Sequence, residues 1–189
     1  MGTKISKESK MTFLKKSFSF LCISLLYVGC LQAGKDDKIL TQTQDFSKLH
    51  KARIKTAKGD IVFTFIEDKA PQTSQRLKTL IQSGFYNGIS FHRVVPGFVI
   101  QAGDPLGTGS GGSGQNLKAE FNDEKHVPGT VAMARRGNDI NSADSQFYIS
   151  LGTHPNLDGQ YTVFGKLEAG LDVAGKIAQG DKIINMSLE

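Results

Sequence analysis

Tryptophan is missing from this 189-residue chain, cysteine occurs twice and proline five times. Both cysteines, Cys22 and Cys30, precede residue 31, so the remainder can form no internal disulfide and offers no thiolate as nucleophile or metal ligand. The four histidines, His50, His92, His126 and His154, show no metal-ligand spacing. Ser145 lacks a convincing His and Asp pair, which argues against a hydrolase triad. Basic charge is scarce where a nucleic-acid surface would need it. The net charge is +5, but residues 1–29 carry five lysines against one glutamate, and the rest holds 18 basic and 17 acidic residues. A nucleic-acid face should persist within the folded part, so no such partner is expected.

What is present suits one domain with a tail. Hydrophobic residues make up 39%, with 12 Phe, enough for a single core without a disulfide staple. Glycine is abundant at 21; many tight turns and few helix breakers point to a β-rich fold. Residues 1–30 read as a signal segment: Lys15-Lys16 precede a 13-residue apolar stretch, 17–29, too short for a comfortable membrane span. Leu26-Tyr27-Val28-Gly29-Cys30 resembles a bacterial lipoprotein signal and makes Cys30 the lipidation candidate, although Tyr27 stands where Leu is usual. Cleavage after Ala33 competes, with Leu31 where a small residue is preferred; a retained apolar tail is the third reading. The start is Met1 or Met11. Residues 31–51 read as a polar tether, and 52–189 as the folded domain.

Within that domain, residues 52–56 and 61–66 flank a Gly-containing turn and read as a β-hairpin. Pro71 opens a helix whose Leu77, Leu80 and Ile81 form one apolar stripe, ending at Ser83-Gly84. Further strands are expected at 90–95, 98–102, 130–134, 146–151, 162–167 and 182–188, with a second helix over 171–178. About eight strands and two helices without βαβ alternation favour a closed antiparallel barrel with helices over its ends. Gly107, Gly109 and Gly112 satisfy G-x-G-x-x-G, but no helix start follows, so the run reads as a flexible loop rather than a dinucleotide fingerprint.

Residues 91–105, FHRVVPGFVIQAGDP, closely resemble the signature of the cyclophilins. Further matches follow in the family's order: the 107–114 loop, Glu120-Phe121, Met133-Ala134-Arg135, the 141–147 segment NSADSQF and the 157–165 segment LDGQYTVFG. The resemblance covers roughly residues 52–189. It implies a mainly β fold, a closed eight-stranded antiparallel β-barrel capped by two α-helices, and peptidyl-prolyl cis-trans isomerase activity with no cofactor and no metal.

Rotation about a peptide bond faces a barrier of about 18–20 kcal/mol set by amide resonance. An acceleration of about 10⁵ requires lowering it by about 7 kcal/mol. No bond breaks; the site must grip proline and favour the twisted amide. Arg93 is the catalytic candidate, because a fixed guanidinium can meet the lone pair that the prolyl nitrogen gains as conjugation is lost. Strand alternation puts Val99 and Gln101 on one face, and Gln146 and Tyr148 on one face, with Phe147 and Ile149 opposite. On the resemblance, Phe98, Val99, Tyr148 and Leu157 seat the proline ring and Gln101 donates to the substrate backbone. Ala134 leaves room for the preceding residue, Gln146 lines the adjoining groove, and His92 and Tyr161 complete the substrate-binding set. His92 hydrogen-bonds near the site rather than acting as a base, and Arg135-Arg136 is solvated or lines the groove.

Many relatives carry Met at Val99, Phe at Tyr148, Trp at Asn156 and His at Tyr161. The Tyr148 hydroxyl at the pocket floor must therefore find a partner, and the loss of an indole at Asn156 predicts weak cyclosporin binding. The expected partners are proline-containing segments of unfolded or exported proteins, met by a monomer whose only membrane contact is an N-terminal lipid. The expected location is exported, periplasmic or anchored as a lipoprotein in a bacterial envelope. The competing reading is an envelope-anchored peptide-binding module whose isomerase activity is incidental.

Overall fold

The computed structural model describes residues 48–189; the signal segment, Cys30 and nearly all of the tether lie outside them. The hairpin expected at the start of the domain is β1 (Lys51–Thr56) and β2 (Gly59–Phe65), so the first strand takes in the last residue assigned to the tether. Helix α1 (Pro71–Gln82) begins on its proline and buries Leu77, Leu80 and Ile81. Ala70 before it has no side chain to cap the helix. The Glu120 carboxylate does so from a distance, accepting the N–H groups of Gln72 at 3.0 Å and Thr73 at 2.8 Å.

The remaining strands are β3 (Arg93–Val95), β4 (Val99–Ala102), β5 (Thr130–Met133), β6 (Phe147–Ser150), β7 (Val163–Ala169) and β8 (Asn185–Leu188). A 3-10 turn (Pro155–Leu157) follows β6. Helix α2 is a single turn, Leu171–Ala174, shorter than the pattern suggested, because Gly175 follows directly. Among the described residues no helix is long and apolar enough to cross a membrane.

All pairings are antiparallel, in the order β3-β4-β6-β5-β7-β2-β1-β8. The expected closed barrel is corrected here: the eight strands form an open, curled sheet whose edges, β3 and β8, do not pair. The reason is local. The chain before β3 meets the chain before β8 through one bridge, Ser90 to Lys182, with Phe91 N–H on Asp181 O and Ile183 N–H on Ile89 O. The two edges thus approach through these irregular stretches and not through β3 and β8 themselves, and β3 is only three residues long.

One face of the sheet packs the main core, including Phe63, Phe65, Ile100, Val131, Phe147, Ile149 and Phe164, against α1. The other face of the same central strands carries a smaller buried cluster, Val99, Ala132, Tyr148 and Val163, with Phe98, Ala134, Leu157 and Tyr161 packed against it.

Candidate active site

The strand register builds this second face in rows. Arg93 on β3 lies opposite Gln101 on β4, Gln101 opposite Tyr148 on β6, Tyr148 opposite Ala132 on β5, and Ala132 opposite Val163 on β7. Because side chains alternate along a strand, five residues far apart in sequence line up on one face. The neighbouring row brings Val99 beside them.

The turn that joins β3 to β4 sets Phe98 at the edge of this row. Pro96 and Gly97 occupy its centre, Gly97 at φ +71°, and Phe98 N–H returns to Val95 O at 3.0 Å. Proline followed by a residue of positive φ is the requirement of a type II turn. Phe98 is then held by His154, whose ring centroid is 4.6 Å away and whose Nε2 lies 3.2 Å from the Phe98 carbonyl oxygen.

These elements enclose a concavity of about 230 Å³ lined by Arg93, Phe98, Val99, Gln101, Ala134, Arg135, Tyr148, Leu157 and Tyr161. Eight of the ten candidate substrate-site residues therefore share one socket. The Arg93 guanidinium stands 5.5 Å above the Phe98 ring centroid, with Nη1 3.4 Å from Gln101 Oε1. Gln101 Nε2 donates to Gln146 Oε1 at 2.9 Å, and Gln146 Nε2 donates to the carbonyls of Gly109 and Gly111.

Gln146 lines not the socket but the adjoining cavity of about 440 Å³, shared with Gln101, residues 109–112, Ala134, Arg135, Arg136 and Asp144. His92 lines neither cavity. Both its ring nitrogens are buried, and burial holds its pKa below the usual value against the opposing charge of Asp104 and a contact with the Gln146 side chain. Ser145 is fully buried and donates to Gly103 O, a structural role.

The glycine loop is not followed by a helix, but it is more firmly held than a flexible linker. Asp104 accepts the N–H groups of Leu106, Thr108 and Gly109, and Asp144 accepts those of Ser113, Gly114 and Gln115 and the Ser113 hydroxyl. A Cβ on Gly111 would overlap the Asp104 carboxylate.

Two further residues contribute: Arg135, which the sequence left as solvated or groove-lining, and His126, which sequence reasoning missed. Arg135 walls the socket: its guanidinium carbon lies 4.7 Å over the Tyr161 ring, and Nε donates to Gln160 O at 3.0 Å. His126 lies beneath the floor, 2.8 Å from the Tyr148 hydroxyl and itself tied to Asp158. The available clue was the tyrosine, whose buried hydroxyl required a partner. Burial raises the Tyr148 hydroxyl well above the usual phenol range.

The open, curled eight-stranded antiparallel sheet with its two helices is a cyclophilin-like fold, and its outer face carries an apolar, arginine-rimmed socket. The family model "Cyclophilin type peptidyl-prolyl cis-trans isomerase/CLD" matches residues 51–186. A peptidyl-prolyl cis-trans isomerase of Helicobacter pylori is 45% identical over 144 residues, 74% of this chain and 87% of the relative. Peptidyl-prolyl cis-trans isomerase B of Bacillus subtilis is 41% identical over 131 residues, 68% of this chain and 90% of the relative. A Cryptosporidium parvum cyclophilin type isomerase, solved in the presence of the dipeptide Ala-Pro, is 30% identical with a TM-score of 0.69, covering 74% of this chain and 98% of its own. The chain belongs to the cyclophilin-type peptidyl-prolyl cis-trans isomerases, and it is a peptidyl-prolyl cis-trans isomerase.

Proposed function

We propose that the isomerase works by electrostatic stabilisation of the twisted amide, on X-Pro bonds of exported proteins. The observation that carries the mechanism is the position of Arg93. Its guanidinium stands over Phe98 at the rim of a socket whose other walls are Val99, Tyr148 and Leu157. A pyrrolidine ring seated there puts its nitrogen toward the rim. In the planar amide that nitrogen has no free lone pair; as the bond turns, the lone pair forms and meets a fixed positive charge. Gln101, held by Gln146, keeps one amide N–H for the substrate backbone. Residues before the proline run past Ala134 into the larger cavity. The Ala-Pro dipeptide used with the Cryptosporidium relative supports proline-containing peptides as substrates.

A protease-coupled assay on a proline tetrapeptide compares wild type with Arg93→Ala. The expected result is a fall in kcat/KM of about 10²-fold, the scale for removing one transition-state donor. Equal turnover overturns the mechanism and leaves the peptide-binding reading. Asn156 is exposed and offers no indole donor, so cyclosporin is expected to inhibit only weakly; nanomolar inhibition overturns that. The protein acts as a monomer, exported and held in a bacterial envelope through Cys30. Support for this lies in the lysines, apolar stretch and cysteine of residues 1–30. Labelled fatty acid should enter the wild-type chain and not Cys30→Ser; equal labelling removes the anchor.

A further inference from the structure

Below the floor of the socket lies a chain of three polar side chains that twisting an X-Pro bond does not require. His126 is 1% exposed. Its Nδ1 lies 3.1 Å from Asp158 Oδ1, which also accepts the His126 backbone N–H at 2.8 Å. Its Nε2 lies 2.8 Å from the Tyr148 hydroxyl. The imidazole and phenol planes are 21° apart, and Tyr161 stands edge-on to both.

Chemistry assigns the protons. An ionised carboxylate only accepts, so Nδ1 carries the hydrogen that faces Asp158. In the neutral ring this leaves Nε2 as an acceptor, and the phenol must donate to it. The hydroxyl hydrogen of Tyr148 is thereby directed down and away from the socket. The surface shown to the substrate is the ring, and a tyrosine can stand where an apolar floor is needed.

We propose that His126 and Asp158 are positioning residues of the isomerase, which hold the Tyr148 hydroxyl out of the proline socket and so keep its floor apolar. The proposal rests on the socket reading above. Without the acceptor at Nε2, a buried O–H would be left unpaired at the floor or would turn into the seat of the ring, and both outcomes weaken substrate binding.

The arrangement also requires His126 to be neutral. A protonated ring donates from both nitrogens and can no longer accept the phenol. Burial favours the neutral ring, as does the nearby His154, while Asp158 pulls the other way. The other groups around it are Lys125, 3.4 Å from Asp158, the Tyr148 and Tyr161 phenols, and Arg135 over Tyr161.

A double-mutant cycle on the full chain, read as KM and kcat for a proline tetrapeptide, tests the proposal. His126→Leu should lower kcat/KM by about tenfold, mostly through KM, the scale of an unpaired buried donor. In the Tyr148→Phe background the same change should have less than a twofold effect, because no hydroxyl remains to be held. His126→Gln, which keeps an acceptor oxygen, should recover most of the loss and abolish the acid limb of the pH profile. Equal effects of His126→Leu in the two backgrounds overturn the proposal and reduce His126 to packing. If His126→Leu does not fold, pH profiles decide: an acid limb that persists unchanged in Tyr148→Phe overturns it, and one that vanishes supports it. Phe98→Ala in the same assay separates the two readings. An unchanged KM there rejects the socket itself, whereas a raised KM beside an additive cycle rejects only the positioning chain.

Discussion

The two faces of β4 and β6 are both buried, yet they are built differently. On the inner face, Ile100, Ala102, Phe147 and Ile149 join a continuous apolar core in which most aromatic pairs meet edge-on, as Phe63 meets Phe164 at 5.9 Å. On the outer face, Val99, Gln101 and Tyr148 share their surroundings with two guanidinium groups, a second glutamine and a buried histidine. The inner face holds the fold together by area removed from water, which is not directional. The outer face depends on directed bonds, each with a named partner. Loss of a side chain on the first should therefore be read in stability, and on the second in turnover.

Phe164→Ala tests the first half of that contrast with the largest expected effect. Phe164 is fully buried against Phe63 and Phe65, and its truncation should cost about 3–5 kcal/mol in denaturant unfolding. The kcat/KM per folded molecule should stay within the assay error; a loss of turnover in proportion to the loss of stability would break the contrast.

The carboxylate under the glycine loop should show how far the outer face depends on charge. Asp104 is 1% exposed. Burial acts to raise its pKa, but the backbone N–H groups of Leu106, Gly111, Gly109 and Thr108 outweigh it and hold the value down at about 2. The folded value is below the unfolded one, so the contribution is full above about pH 4 and is lost as pH falls through about 2. It amounts to about 2 kcal/mol. Asp104→Asn should remove that acid-side slope, and a slope unchanged in the variant would show the loop to be held by other means.

Phe98→Ala reverses the pattern of Phe164. The ring is only half-buried and packs on His154 and under Arg93. The variant should unfold within about 1 kcal/mol of wild type while kcat/KM drops by about tenfold. A large stability loss with turnover intact would assign Phe98 to packing.

Much of this division was legible in the chain. Period-two alternation separated Gln146 and Tyr148 from Phe147 and Ile149, and the family resemblance assigned Phe98 to the seat of the ring. The socket's polar underside was not legible, because His126 reaches Tyr148 across 22 residues and Asp158 across 32, and no local pattern encodes such pairings. Barrel closure was misjudged for a related reason. Whether two edge strands meet depends on the irregular chain before them, here 88–91 and 180–183, and not on their own apolar pattern.

Glu120 gives the smallest effect and marks a third way in which distant sequence is used. The family motif singled it out without a role, and it does not line the socket. Its carboxylate closes the start of α1, which Pro71 begins and Ala70 leaves uncapped, by accepting two N–H groups from 47 and 48 residues away. A side-chain acceptor at a helix start is worth about 1 kcal/mol, and a negative charge there also suits the helix dipole. Glu120→Ala should lower the unfolding free energy by about that amount and Glu120→Gln by less, since one amide oxygen remains to accept. Neither should alter KM for a proline peptide. A shift in KM would mean that α1, packed on the inner face, also sets the shape of the outer one.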